Sequence, residues 1–266
     1  MGKELAFFEG NIIPIDSAKV GIKTHALHYG TAVFEGIRGN WNSDQNKIYV
    51  FRLREHYERL IKGCKILKMD INYSVDELCE ITINLIKESG YKEDIYIRPL
   101  AYKSEEKIAN LKLHELESNF ALMIVPFGNY IDNEKPIRCQ TSSWRRPHDS
   151  MMPTGVKLSG LYTTSILAKT EAIMAGFDEA ILLNFDGSVS EGSGENLFMV
   201  RDGKLITPSE TENCLLGITR DCVFEIASNE FGMQIQSRKI HRSEIYLAEE
   251  VFLTGTAAHI TSVGQL

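Results

Sequence analysis

GVKLSGLY (155–162), followed by SEGSGENLF (190–198), decides how the rest of this chain is read. The two stretches supply an amine (Lys157), a phenol five residues on (Tyr162) and a carboxylate set among glycines (Glu191). Each has an ordinary reading: a solvated surface lysine, a core aromatic at a helix start, a loop glutamate in water. Together they make a different set. A lysine amine can hold an aldehyde covalently, an acid can keep a ring nitrogen protonated, and a hydroxyl can bond a phenolic oxygen.

Composition bounds the possibilities. At 266 residues the chain is long enough for two modest domains, and its 43% hydrophobic and 24% charged residues are ordinary for a globular protein. A net charge of −7 gives no support to nucleic-acid binding. The five cysteines (Cys64, Cys79, Cys139, Cys214, Cys222) are scattered, with no C-x-x-C pair, so neither a disulfide framework nor a zinc site is indicated. The N-terminus lacks a signal-type apolar run, and Ala6 breaks the myristoylation pattern. No segment reaches the roughly 18 apolar residues of a membrane helix. A cytoplasmic protein is expected.

The chain reads as α+β. LAFFEGNIIPI (5–15) predicts a hairpin turning at Glu9-Gly10-Asn11, and KIYVFRL (47–53) a strand leading into a helix with Tyr57, Leu60, Ile61, Cys64 and Leu67 at helical spacing. Ser74-Val-Asp-Glu77 matches a capping box and opens a second helix running to Gly90. DIYIRPLAY (94–102) and NFALMIVPFGNYI (119–131) read as strands. The first domain is placed at 1–122, an interdomain linker at 123–136, and the second domain at 137–266. Within the latter, helices are expected over about 163–175, ending at Gly176, and 219–231. Strands are expected at EAILLNF (179–185), ENLFMV (195–200) and EVFLTGT (250–256), with turns at Asp186-Gly187 and Asp202-Gly203. There is no G-x-G-x-x-G after a strand, no Walker pattern, no G-x-S-x-G and no H-x-x-x-H, so a metal site is not expected.

Five blocks in order resemble the fold-type IV pyridoxal phosphate enzymes, and within them the branched-chain amino acid aminotransferases. They are HALHYGTAVFEGIR (25–38), REHYERL (54–60), GVKLSGLY, SEGSGENLF, and LLGITRD (215–221) with FLTGTAA (252–258), and they cover nearly the whole chain. The resemblance implies a small N-terminal α/β sandwich domain, a larger C-terminal β-barrel-like domain that binds pyridoxal 5'-phosphate, and a site at their interface. It makes Lys157 the catalytic lysine, covalent holder of the cofactor and base for the proton shift. Glu191 would pair with the pyridine nitrogen and Tyr162 with the phenolic oxygen. Phosphate would be held by Arg59 and by Gly217, Ile218 and Thr219 at the start of a helix, whose positive end suits an anion, with Thr256 adding a hydroxyl. Glu195 and Asn196 match the motif as shapers of the loop.

For substrate, the resemblance implies that Thr256 and Ala257 hold the α-carboxylate, with Tyr96 and Arg98 nearby. The apolar side chain would meet Tyr29, Phe34, Tyr130 and Tyr162, and Gly36 and Arg38 would complete the edge. The expected reaction moves an amino group between leucine, isoleucine or valine and 2-oxoglutarate, giving branched 2-oxo acids and L-glutamate. A homodimer or higher homo-oligomer is implied, with KSEEKIANL (103–111) closing the neighbour's site. Relatives usually continue for about forty residues beyond TSVGQL (261–266), so the last strand and helix of the second domain are expected to be missing. The alternatives are a D-amino acid aminotransferase, an aminodeoxychorismate lyase, and a non-catalytic relative. The first lacks its Arg-x-His trap here, because Pro99 and Leu100 follow Arg98. The full HYGTxxFEGIR block disfavours the second. The intact Lys157, Glu191 and Tyr162 argue against the third.

Overall fold

The structure is a computed structural model and describes residues 2–128 and 135–266. Tyr130 and part of the expected linker fall on 129–134, outside the described residues. The chain divides into two compact units. One runs through Gly128 and also takes in Val156–Gly160; the other holds the residues through Gly155 and Leu161–Leu266.

The first unit contains strands β1 (Leu5–Phe8), β2 (Asn11–Pro14), β3 (Ala32–Phe34), β4 (Ile37–Asn42), β5 (Lys47–Val50), β6 (Ile95–Lys103) and β7 (Ser118–Pro126). Its helices are α1 (His25–Tyr29), α2 (Leu53–Ile66) and α3 (Val75–Ser89). The sheet order is β2-β1-β7-β6-β4-β5, with β3 also paired to β6. The β1–β2 hairpin turns at Glu9 and Gly10, both with positive φ, as the sequence predicts. The capping box of α3 is present in full: the Glu77 amide donates to Ser74 Oγ, and the Ser74 amide to the Glu77 carboxylate. One sheet face is apolar. Ile95, Ile97 and Ala101 of β6 alternate inward beside Phe120, Leu122 and Ile124 of β7, and Tyr57, Leu60, Leu78 and Leu85 of α2 and α3 fill the same core. The opposite face of β6 carries Tyr96, Arg98 and Leu100.

Pro99 lies inside β6, a central strand, where a missing N–H would ordinarily break the ladder. The Pro99 carbonyl accepts the Glu35 amide at 3.0 Å, so its nitrogen faces the same side. That side is the interval between β3 and β4, where Glu35 and Gly36 leave the sheet. The proline therefore sits where no donor is required.

The second unit contains β8 (Ile137–Arg145), β9 (Glu179–Leu183), β10 (Val189–Gly192), β11 (Asn196–Arg201), β12 (Lys204–Thr207), β13 (Gln234–Ser237), β14 (Glu250–Gly255) and β15 (His259–Gln265). Its helices are α4 (Tyr162–Met174), α5 (Ile218–Asn229) and α6 (Arg242–Ile245). The eight strands run β10-β9-β8-β15-β14-β11-β12-β13. The sheet curls until its ends approach: Ser188 bridges His241, and the Val189 amide donates to the Ile240 carbonyl at 2.9 Å. Alternation along the strands gives this curl two apolar faces. Leu197, Met199, Ile206, Leu253 and Ile181 share one core, while Phe198 and Leu205 turn to Val223 and Ala227 of α5. Ala180 and Leu182 pack on Ala168 and Ala172 of α4. The protein is thus α+β, with a sandwich-like first unit and a barrel-like second one.

The Val156–Gly160 segment is attached to the first unit by main-chain contacts. Val33 bridges Leu158, the Phe34 amide donates to the Lys157 carbonyl at 3.1 Å, and the Gly160 amide to the Gly30 carbonyl at 3.2 Å. Gly30 ends α1 with φ 65°, and a Cβ there would come within 2.8 Å of the Gly160 Cα. Gly30→Ala therefore meets strain and a main-chain clash together. It is expected to lower stability by about 1–3 kcal/mol, read as a reduced urea midpoint at unchanged m-value.

Candidate active site

In the first unit, Lys157 Nζ lies 5.2 Å from the centroid of the Phe34 ring, and Arg98 Cζ lies 4.5 Å from the same ring. Two cations thus share one aromatic wall. Arg98 is also 5.0 Å over Tyr96 and donates from Nη2 to the Tyr96 hydroxyl at 2.7 Å. Its Nε is buried with no partner among the described residues. Gly36 lets this assembly close, because a Cβ there would collide with the Tyr96 hydroxyl. Arg38 sits across from Tyr96 on β4. Its Nη2 donates to Asp94 at 3.1 Å, while Nε and Nη1 are buried without a partner among the described residues. Buried guanidinium N–H groups left unmade are costly, and a carboxylate is the group that satisfies them best. Tyr29 lies at the end of α1, stacked on His25, and its hydroxyl accepts the Ala109 amide at 3.1 Å.

Beneath Phe34, on the helix side of the sheet, Glu35 is fully buried. Arg59 grips it with both arms, Nε to Oε1 at 2.7 Å and Nη2 to Oε2 at 2.8 Å, and His56 Nδ1 bonds Oε2 at 2.8 Å. Burial alone would push this carboxyl up. The Arg59 charge and hydrogen bonds, then those of His56, outweigh it and bring it down to about 2. Burial pushes His56 the other way, below its ordinary value. The sequence reading assigns no role to Glu35 or His56, although both lie inside the quoted motifs. The signal is present: His56 and Arg59 are three apart on α2, so they share a face and need a common acceptor.

In the second unit, Glu191 is buried on β10, and Arg146 Nη2 pairs with its Oε1 at 2.9 Å. The Leu215 amide donates to Oε2 at 3.0 Å. Arg146 is fixed in turn through Nε to the Asn213 carbonyl at 3.0 Å. Sequence reasoning misses Arg146, because a pair made across the fold leaves no local spacing to read. Gly217 is the N-cap of α5, and no side chain caps that helix. Ile218 and Thr219 are its first two residues, so their amides belong to the turn whose N–H groups have no partner within the helix. Thr256 and Ala257, both half-buried, lie in the β14–β15 turn. Gly255 at its start comes close to the Gly194 carbonyl. Tyr162 is the first residue of α4. Glu195 is buried, and desolvation, then repulsion from Glu179, pushes it up to about 8.

Residues 32–266 match the amino-transferase class IV family. A probable branched-chain-amino-acid aminotransferase of Aquifex aeolicus is 48% identical over 99% of this chain and 84% of that protein. Among solved structures, the branched-chain aminotransferase of Thermoproteus uzoniensis with norvaline superposes with a TM-score of 0.95 at 43% identity, covering 99% of this chain and 87% of that one. The branched-chain amino acid aminotransferase of Thermobaculum terrenum in its PLP-form gives 0.93 at 36% identity, covering 99% and 86%.

The Glu35 carboxyl is ordinary when unfolded, near 4.5, and near 2 when folded, so the unfolded chain binds more protons across that window. Its contribution is fully present above pH about 4.5 and is lost as pH falls toward 2. Glu35→Gln is expected to cost about 3–5 kcal/mol at neutral pH, since it leaves a buried guanidinium uncompensated. It should also flatten stability across that acid window. Urea midpoints measured against pH check both, and a variant curve parallel to wild type would show that the Glu35 charge is not responsible.

Proposed function

Because the chain belongs to the class IV amino-transferases, and within them to the branched-chain-amino-acid aminotransferases, we propose that it moves an amino group between leucine, isoleucine or valine and 2-oxoglutarate, using pyridoxal 5'-phosphate. The observation that carries the reading is the shared Phe34 wall, with the Lys157 amine 5.2 Å and the Arg98 guanidinium 4.5 Å from its ring centroid. An amine alone makes a covalent site. An amine beside an apolar wall and an anion-binding arginine suits substrates that alternate between an aliphatic side chain and a carboxylate.

The residues present suit the cofactor. The α5 start has no capping side chain to compete with a phosphate, and the Glu191 carboxylate suits a protonated pyridine nitrogen. When bound, pyridoxal phosphate supplies an aldehyde that captures the substrate amine and a ring that takes up the electron pair released at Cα. Lys157 Nζ would remove the Cα proton and return it at the cofactor's C4′. Glu191, paired with Arg146, would keep the proton on the ring nitrogen, and Tyr162 would bond the phenolic oxygen. Arg59, with Ile218, Thr219 and Thr256, would hold the phosphate, Gly217 permitting the close turn and Arg59 being aimed by Glu35. Thr256 and Ala257 would hold the α-carboxylate. Tyr29, Phe34, Gly36, Arg38, Tyr96, Arg98, Tyr130 and Tyr162 would shape the side-chain pocket.

A homodimer in the cytoplasm completes the reading. Ile22, Leu27, Ile108 and Leu111 are exposed on the α1 and 104–117 side of the first unit, and an apolar surface of this kind supports association. Among the described residues no helix is long and apolar enough to cross a membrane. Sedimentation is expected to give at least a dimer; an active monomer would overturn that part.

Lys157→Ala is expected to cost on the order of 10⁴ or more in turnover while much of the cofactor binding survives, because phosphate contacts are separate from the amine. Single-turnover rates and cofactor titration check it. Turnover near wild type would remove Lys157 from the chemistry. Arg98→Ala is expected to weaken the glutamate and 2-oxoglutarate half-reaction by about 10–10³-fold, with much less effect on leucine. Stopped-flow half-reactions with each amino acid decide it. Equal losses would make Arg98 a structural residue or a ligand of the shared α-carboxylate.

A further inference from the structure

We propose that Asn196 is the positioning residue of the phosphate-binding turn, and that it fixes the Leu215–Gly217 backbone against the start of β11. The inference rests on the reading of α5 as the phosphate site. Three hydrogen bonds carry it. Asn196 Nδ2 donates to the Leu215 carbonyl at 2.7 Å, the Gly217 amide donates to Asn196 Oδ1 at 3.0 Å, and the Leu215 amide donates to Glu191 Oε2 at 3.0 Å. The Leu215 peptides are thus gripped at both ends, one by the carboxylate proposed for the ring nitrogen and one by Asn196. The turn enters α5 immediately afterwards, at Ile218.

The side-chain chemistry is restrictive. One buried residue must offer a donor and an acceptor to two peptide groups two positions apart. Aspartate lacks the donor, serine is too short, and glutamine is one carbon longer. The fit also explains Gly217, where a Cβ would run into Asn196 Oδ1. Any side chain at 217 would push the amide away and release both bonds.

Asn196 also occupies a shared reference point in the fold. It is the first residue of β11, paired with Thr254 of β14, whose strand leads through Gly255 to Thr256. Its backbone therefore sets the position of the Thr256 turn, and its side chain sets the position of the α5 start. Both groups proposed to hold phosphate in the second unit are registered to this single residue. The α5 start and the Thr256 turn are thereby both referred to the first residue of β11. Preorganised donors of this kind need no rearrangement when an anion arrives.

The test compares pyridoxal phosphate with pyridoxal, which lacks the phosphate, as ligands of the apoprotein, reading absorbance and tryptophan fluorescence instead of turnover. Wild type is expected to prefer the phosphorylated ligand strongly. N196D and N196A are each expected to lose about 10–100-fold in pyridoxal phosphate affinity, with pyridoxal affinity unchanged. Equal weakening of both ligands, or no weakening of either, overturns the proposal and makes Asn196 a general structural residue. Failure of both variants to fold, read by circular dichroism, overturns it as well, because a positioning residue is dispensable for the fold. If wild type shows no preference for the phosphorylated ligand, the α5 reading itself falls, an outcome separate from retained discrimination in the variants.

Discussion

The hydrogen bond from the Phe34 amide to the Lys157 carbonyl decides which part of the molecule holds the Lys157 amine. On both sides of Val156–Gly160 the chain belongs to the second unit, yet these five residues are stitched to β3 and to the end of α1. The lysine is thereby presented by a strand edge and not by a free loop. Its ammonium lies beside the Phe34 ring because its own backbone lies beside Phe34's. Gly30 is needed because two main chains pass within contact distance there, and a side chain at that position would meet the Gly160 backbone.

Within each unit, buried charge is handled by pairing. Glu35 with Arg59 and His56, and Glu191 with Arg146, are buried ions whose partners are equally withdrawn from water. Such pairs add little net stability compared with apolar packing, but breaking one exposes the full desolvation cost of the survivor. They fix direction instead. A bidentate carboxylate leaves a guanidinium one orientation, and Arg59 is clamped in this way from the side of the sheet opposite Phe34. Glu195 marks the contrasting case: burial, and then Glu179 as a like-charged neighbour, push its carboxyl up.

What can be read from sequence is what is local. The hairpin at Glu9-Gly10, the Ser74 capping box and the apolar stripes of α2, α4 and α5 are encoded within a few residues, and each stands within two residues of its expected place. β3, β4, β8, β10, β12, β13 and β15 are not anticipated. Of these β8, IRCQTSSWR, is largely polar and is held by parallel neighbours distant in sequence, β9 and β15. The same division runs through the site. Lys157, Tyr162 and Glu191 stand in motifs with recognisable company. Arg146, Glu35 and His56 take their meaning from partners, and Asn196 from two backbone groups some twenty residues away. Pairing across a fold has no periodicity to betray it.

Pro99 has the widest reach of these features. The interruption between β3 and β4 is set by a nitrogen that carries no proton, so the main chain itself keeps that stretch of ladder open. Substitutions among the neighbouring side chains leave it open. Phe34, Tyr96 and Arg98, which pack together on the opposite side of the sheet, can therefore be exchanged for other residues while Glu35 stays turned toward its buried partners. In evolutionary terms the fold separates a variable face from the scaffold behind it: side chains can change on one side of the sheet without renegotiating the other.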